Sequence, residues 1–226
     1  MRRRGAGSTE VHSAWAGVAR VATAVDLDAV VDTLVESHVD YVWEAWALPF
    51  ADRRGRMIEL FSTDLRVIGH PHGQIWITAN STSVAVWLPA AADDRLGDSD
   101  RDVLAEVKRV AFGDREVIVD EVATVIAASS PAPVDWRLAT MGTRLAHRRR
   151  GLGAAVLEPM LEQLDRRAET ARLETSDVNN VRFYARFGFY VTAELDDLPH
   201  HAPTTWIMDR PPQPFAPEAS DGADAP

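Results

Sequence analysis

The 226-residue chain contains no cysteine, which excludes disulfides, a thiol nucleophile and thiolate zinc sites. That absence fits a reducing compartment, so a cytoplasmic location is expected. No run of about 18 apolar residues exists, so no membrane-spanning helix is expected. The basic start Met1-Arg2-Arg3-Arg4-Gly5 passes into polar Ser8-Thr9-Glu10-Val11-His12-Ser13. A secretion signal needs about 7–15 apolar residues there, so no leader is expected. Positive charge is also short: 24 Lys and Arg against 34 Asp and Glu, a net charge of −10. Such a field repels phosphate, which argues against a nucleic-acid partner; any polyanion must be held by a local basic site. What is present is globular in character, with 46% hydrophobic and 26% charged residues and seven tryptophans that need a core.

The organisation reads as a flexible N-terminus over 1–14, one domain over 15–210 and a Pro/Ala/Asp-rich tail over 211–226 that buries too little apolar surface to order itself. A first strand is predicted over Gly17–Ala22. Thr23-Ala24-Val25-Asp26 has capping-box spacing, with Asp26 in place of the preferred Glu or Gln. Leu27, Val30, Val31 and Leu34 then form the stripe of a first helix. A second helix is predicted around Met57–Leu65, strands over Gln74–Thr78 and Val84–Leu88, and helical pattern from about Val103 to Ala128. Next come strand Trp136–Met141, a helix from Gly151 with a kink at Pro159, strand Ala171–Thr175 and a short helix over Asn179–Phe187. Strands near Tyr190–Leu195 and Thr204–Met208 close the pattern. Alternation in the second half and a meander in the first predict a mixed sheet with helices on it, an α+β fold.

The chemistry is carried by Trp136–Thr143 followed by Arg148-Arg149-Arg150-Gly151-Leu152-Gly153. This is a strand, a turn, and a glycine-containing helix N-terminus surrounded by arginines. First-turn N–H groups have no partner inside a helix and the dipole is positive there, so such a terminus accepts phosphate. The glycine spacing matches neither the dinucleotide fingerprint nor the P-loop. Taken alone, the segment reads equally as a solvated basic turn.

Arg148-x-x-Gly151-x-Gly153 after a strand resembles the acetyl-CoA signature of the GNAT superfamily of N-acetyltransferases. A second match lies in Leu173-Glu174-Thr175-Ser176 and Asn180-Val181-Arg182-Phe183-Tyr184-Ala185-Arg186-Phe187-Gly188-Phe189. Within the superfamily, Trp136–Gly153, Leu173–Phe189, Val191-Thr192-Ala193 and Thr205-Trp206-x-Met208 are similar to the puromycin N-acetyltransferases. Leu145, where relatives often carry proline, and Arg148, where glutamine is frequent, depart from that pattern.

The resemblance implies a mostly antiparallel sheet with a splay between two parallel strands. Met141, Gly142 and Thr143 would bond the pantetheine arm through their backbone. Arg149, Arg150, Gly151, Leu152 and Gly153 would hold the pyrophosphate, with Arg148 assisting and Asn180 beside the pantetheine. Tyr184 would protonate the departing thiolate. Glu174 is the candidate base, directly or through a water, since strand alternation sets it opposite Leu173. The implied reaction is acetyl transfer from acetyl-CoA to a small-molecule primary amine. The alternatives are a protein N-terminus or lysine as acceptor, or an acetyl-CoA-binding module without catalysis. Monomer and homodimer stay open.

Plainer readings accompany these. Tyr184 can be one more packed aromatic beside the Phe183/Phe187 pair, Glu174 a plain strand glutamate, and Asn179 and Asn180 helix caps. Tyr41, Trp43 and Trp46 suit either a wall for a flat substrate or, preferably, the core. His70-Pro71-His72-Gly73 and His200-His201 lie in turns with no third ligand, so no metal is expected.

Overall fold

Val84–Leu88 is apolar at every position, which a half-buried strand would not be. In the computed structural model, which describes residues 19–130 and 132–214, this run lies inside the strand Ser83–Pro89 and is buried on both faces. Val84 and Val86 enter one core with Leu27, Val30, Val31 and Leu34. Ala85 and Trp87 enter another with Val156, Met160 and Leu164. The period-two alternation of a strand divides them.

That strand is β3 of seven. β1 (Ala19–Val21), β2 (Gln74–Thr78) and β3 form the meander, followed by β4 (Trp136–Thr143), β5 (Ala171–Thr175), β6 (Tyr190–Leu195) and β7 (Thr205–Arg210). Their order in the sheet is β1-β2-β3-β4-β5-β7-β6. Every pairing is antiparallel except β4 with β5. The helices of six residues or more are α1 (Leu27–His38), α2 (Val42–Ala47), α3 (Arg53–Asp64), α4 (Asp98–Phe112), α5 (Glu116–Ala128), α6 (Leu152–Arg167) and α7 (Val178–Ala185). His70–His72, expected in a turn, form a single short helical turn before β2. The architecture is the mixed α+β sheet that the sequence predicts. No helix among the described residues is long and apolar enough to cross a membrane.

Local chemistry explains most boundaries. The Thr23 N–H donates to Asp26 Oδ2 at 2.8 Å, completing the expected capping box ahead of α1. The helical pattern expected over Val103–Ala128 is two helices rather than one. Gly113, at φ +55°, follows Phe112 and turns the chain. α6 runs unbroken through Pro159. Two buried, two-pronged ion pairs fasten the C-terminal half. Arg172 donates to Asp209 at 2.6 and 2.8 Å, and Arg210 to Asp165 at 2.7 and 2.8 Å. The first joins β5 to β7 and the second joins β7 to α6. The expected start of the first strand at Gly17 and Val18, the flexible 1–14 segment and most of the 211–226 tail lie outside the described residues.

Candidate active site

β4 and β5 pair in parallel only over Trp136–Leu138 and Ala171–Leu173. Beyond Leu138, β4 runs on against β3 alone, through Thr140, Met141, Gly142 and Thr143. Its β5 side is therefore open. The two strands part there, and the parting leads into a cavity of about 1660 Å³. The cavity gathers the residues picked out from the sequence: Met141, Gly142 and Thr143 of β4, Arg148 to Gly153 of the following turn, Glu174 of β5, and Asn180 and Tyr184 of α7.

The turn is strained where it meets α6. Arg149 has φ +60° and Gly151 φ +81°; the first is a conformation that side chains seldom adopt, and the second suits glycine. The first backbone bond of α6 is Ala155 N–H to Gly151 O, at 3.1 Å. The amides of Leu152, Gly153 and Ala154 are thus left without an intrahelical acceptor at the positive end of a 16-residue helix. Arg148 has a structural part as well. Its Nε donates to Thr143 O at 3.2 Å and its NH2 group to Ser37 O at 3.0 Å, tying the turn to α1.

The glycines work by close approach. A Cβ at Gly153 would come within 2.9 Å of Met141 Cε and 3.2 Å of Phe183 Cζ, so its absence lets α6 sit against β4 and α7. A Cβ at Gly142 would overlap Ser37 Oγ. Gly142→Ala is expected to cost about 1–3 kcal/mol as overpacking and to shift His38 as well. Urea unfolding checks this, and a loss under about 0.5 kcal/mol, the scale of an ordinary surface change, would show that α1 yields freely.

Tyr184 is buried among Phe183 and Phe189, with ring centroids at 5.2 and 5.9 Å. Among the described residues its hydroxyl donates only to the weak acceptor Met141 Sδ, at 3.7 Å. Burial, together with Tyr41, pushes its ionisation far above that of a free phenol, so the proton stays on. A phenol held neutral against so weak an acceptor is free to donate to a stronger one. Leu173 faces the core, while Glu174 is exposed on the cavity side. Desolvation by the cavity walls raises the Glu174 carboxyl, against the pull of Arg137 and Arg172. Asn180 Nδ2 donates to Thr175 Oγ1 at 3.1 Å. The cap of α7 is neither Asn179 nor Asn180 but Asp177, whose Oδ1 accepts from Asn179 N–H at 2.8 Å. Asp177 comes first because the chain is still extended there.

Among the residues that reach the cavity without having been assigned from sequence to catalysis or cofactor binding, Tyr41, His38 and Glu44 carry polar groups of note. Tyr41 crosses to the end of β5. Its hydroxyl lies 2.9 Å from Thr175 Oγ1 and accepts from Ser176 N–H at 2.5 Å. His38 Nδ1 lies 2.9 Å from both Leu34 O and Ser37 Oγ, and Nε2 faces Thr140 Oγ1 at 3.5 Å. Burial, together with Arg148, lowers its pKa, so the ring is neutral. Glu44 of α2 is the third; its Oε2 is buried without a hydrogen-bond partner among the described residues. Nothing in a lone helical His or Glu distinguishes it in sequence; only the aromatic run Tyr41–Trp46 hinted at this wall. Of that run, Tyr41 and Trp43 line the cavity, whereas Trp46 packs against Trp43 with its ring tilted by 49° at 5.1 Å between centroids and donates to His200 O at 3.1 Å. Among the described residues no group of three or more potential ligands is placed to hold a metal ion.

Residues 106–189 match the model of the Acetyltransferase (GNAT) family. Among solved structures, the fold is similar to that of "histone acetyltransferase HPA2 and related acetyltransferase" from Corynebacterium glutamicum. The TM-score is 0.60 at 20% identity, covering 89% of this chain and 98% of that one. It is also similar to the C-terminal condensation domain of Ebony in complex with beta-alanyl-dopamine (TM-score 0.60, 12% identity, 85% and 97% covered). A third similar structure is described as an acetyltransferase (TM-score 0.56, 19% identity, 87% and 100% covered).

Proposed function

We propose that this chain, an acetyltransferase of the GNAT superfamily, transfers acetyl from acetyl-CoA directly to the primary amine of a small molecule. The observation that carries the reading is the opening between β4 and β5. There, unpaired strand backbone, the free amides at the start of α6 and the Tyr184 phenol share one cavity.

The residues fit the donor. The free amides of Leu152 to Ala154, with Arg149 and Arg150 beside them, suit a pyrophosphate in a protein whose net charge is otherwise −10. The open edge of Met141 to Thr143 suits the amide-bearing pantetheine arm, and a backbone N–H there suits the oxyanion of the tetrahedral intermediate. Asn180, held at the end of β5, borders that arm. Glu174 takes a proton from the amine, directly or through a water. The C–N bond forms, the C–S bond breaks, and Tyr184 gives its proton to the departing thiolate. With no cysteine to carry an acetyl thioester, attack is direct within a ternary complex.

Puromycin or a related aminoacyl nucleoside is the acceptor to test first, on the likeness over 136–210. Acetylation removes the charge and nucleophilicity of such an amine, which makes the role one of detoxification. The test is CoA thiol release by purified protein with acetyl-CoA and puromycin, against a control lacking acceptor. Acceptor-dependent release supports the whole reading. Binding of acetyl-CoA without release would retain the donor and discard puromycin. No binding of acetyl-CoA would overturn the proposal.

A further inference from the structure

α2 is a short helix between two turns, and its residues meet the cavity from the side of β7. Trp43 packs against Val122, Ile126, Leu198 and Ile207, a core separate from the one that holds α6. Three residues after Tyr41, Glu44 lies on the same side of the turn. Its carboxylate is walled in by this segment, and the described residues supply no cation, hydrogen-bond donor or ion pair to Oε2. A buried carboxylate without a counter-charge is costly, and structures keep one seldom unless something else pairs with it. The cavity carries charge of both signs, with Glu36, Asp40, Glu158 and Asp177 also on its wall. Arg148, Arg149 and Arg150 enter with the turn before α6, whereas Glu44 enters from α2 and Glu174 from β5.

We infer that Glu44 is the acceptor-binding carboxylate: it pairs with the ammonium of an incoming primary amine whose flat apolar body rests on Trp43 and Tyr41. The inference rests on the acetyltransferase reading and gives the acceptor its chemical class, an aryl-bearing cationic amine. Position supports it. Tyr41 is held on the end of β5 by Thr175 and Ser176. Burial raises the Tyr41 phenol, with the Glu44 carboxylate adding to it, and burial together with Tyr41 raises Tyr184. Tyr41 is therefore within electrostatic reach of both Glu44 and Tyr184. Desolvation pushes the Glu44 carboxyl up to about 8, and a bound cation would reverse that shift by favouring the charged form.

The test measures steady-state transfer from acetyl-CoA to puromycin, tyramine and n-hexylamine by wild type, Glu44→Gln and Glu44→Asp, with acetyl-CoA affinity measured separately by calorimetry. The expected result is a rise of tenfold or more in KM for the aryl amines in Glu44→Gln, partial retention in Glu44→Asp, and unchanged acetyl-CoA affinity. Wild type should also prefer tyramine to n-hexylamine. Transfer with the same acceptor KM in wild type and Glu44→Gln overturns the inference and leaves the acetyltransferase reading intact. Acetyl-CoA binding by wild type, with neither transfer to these amines nor a thermal shift from them, likewise overturns it. Failure of wild type to bind acetyl-CoA would remove the acetyltransferase reading itself and this inference with it.

Discussion

Replacing Tyr184 with phenylalanine is expected to lower kcat by about 10²–10⁴-fold, the usual worth of a positioned general acid. Acetyl-CoA affinity should hardly change. The substitution removes one oxygen whose hydrogen bond among the described residues is to the weak acceptor Met141 Sδ at 3.7 Å, and it keeps the ring contacts with Phe183 and Phe189. The fold therefore loses little, and the lost turnover reports on proton donation. The pH profile gives a second check. Because burial holds the phenol well above its ordinary range, wild-type kcat should show no alkaline fall from this group at pH 7–9. Turnover in Tyr184→Phe equal to wild type would make Tyr184 a packed aromatic, the plainer reading of Phe183–Phe189.

Glu44→Gln is expected to stabilise the protein in the absence of substrate, and by an amount that depends on pH. The ordinary carboxyl value is 4.5, and in the folded protein Glu44 is pushed up to about 8. At pH below 4.5 the group is protonated whether folded or not and contributes nothing to the difference. As pH rises from 4.5 to 8 the unfolded chain ionises first, so stability falls, levelling off above 8. The loss in wild type is on the order of 4 kcal/mol at one decade per 1.36 kcal/mol. In Glu44→Gln the atom at the Oε2 position still lacks a partner among the described residues, which returns about 1–3 kcal/mol of that gain. A rise in Tm of roughly 3–10 °C at pH 8, shrinking toward pH 5, is the expected outcome at about 2–4 °C per kcal/mol for a chain of this size. A Tm difference that stays flat across pH 5–9 would show that Glu44 is not desolvated. Stability given up at a residue that lines the cavity is what a binding carboxylate requires of a fold that does not pair it internally.

The sequence was most legible where pattern and period are strong. Leu27, Val30, Val31 and Leu34 read as a buried stripe and are one. Ala171–Thr175 and Tyr190–Leu195 read as strands at their observed limits. It was less legible where a single residue overrides a pattern: Gly113 breaks a helical run, and Asp177 caps α7 ahead of two asparagines. On the donor side the residues read from sequence meet at one cavity, because strand, turn and helix N-terminus are consecutive in the chain and local spacing places them together. His38, Tyr41 and Glu44 are more than 90 residues from β4 in sequence, and no local pattern connects them to it.

By itself, then, the sequence determined the alternation of strands and helices, the cores that follow from apolar periodicity, and the arginine- and glycine-containing turn at Arg148–Gly153, all of which depend on neighbours within one or two turns of the chain. Only the tertiary structure decided where β4 and β5 part, that Gly142 brings α1 against β4, and that α2 delivers to the same cavity a carboxylate whose Oε2 has no partner among the described residues. These depend on long-range packing and on desolvation, which arise when distant segments exclude water together.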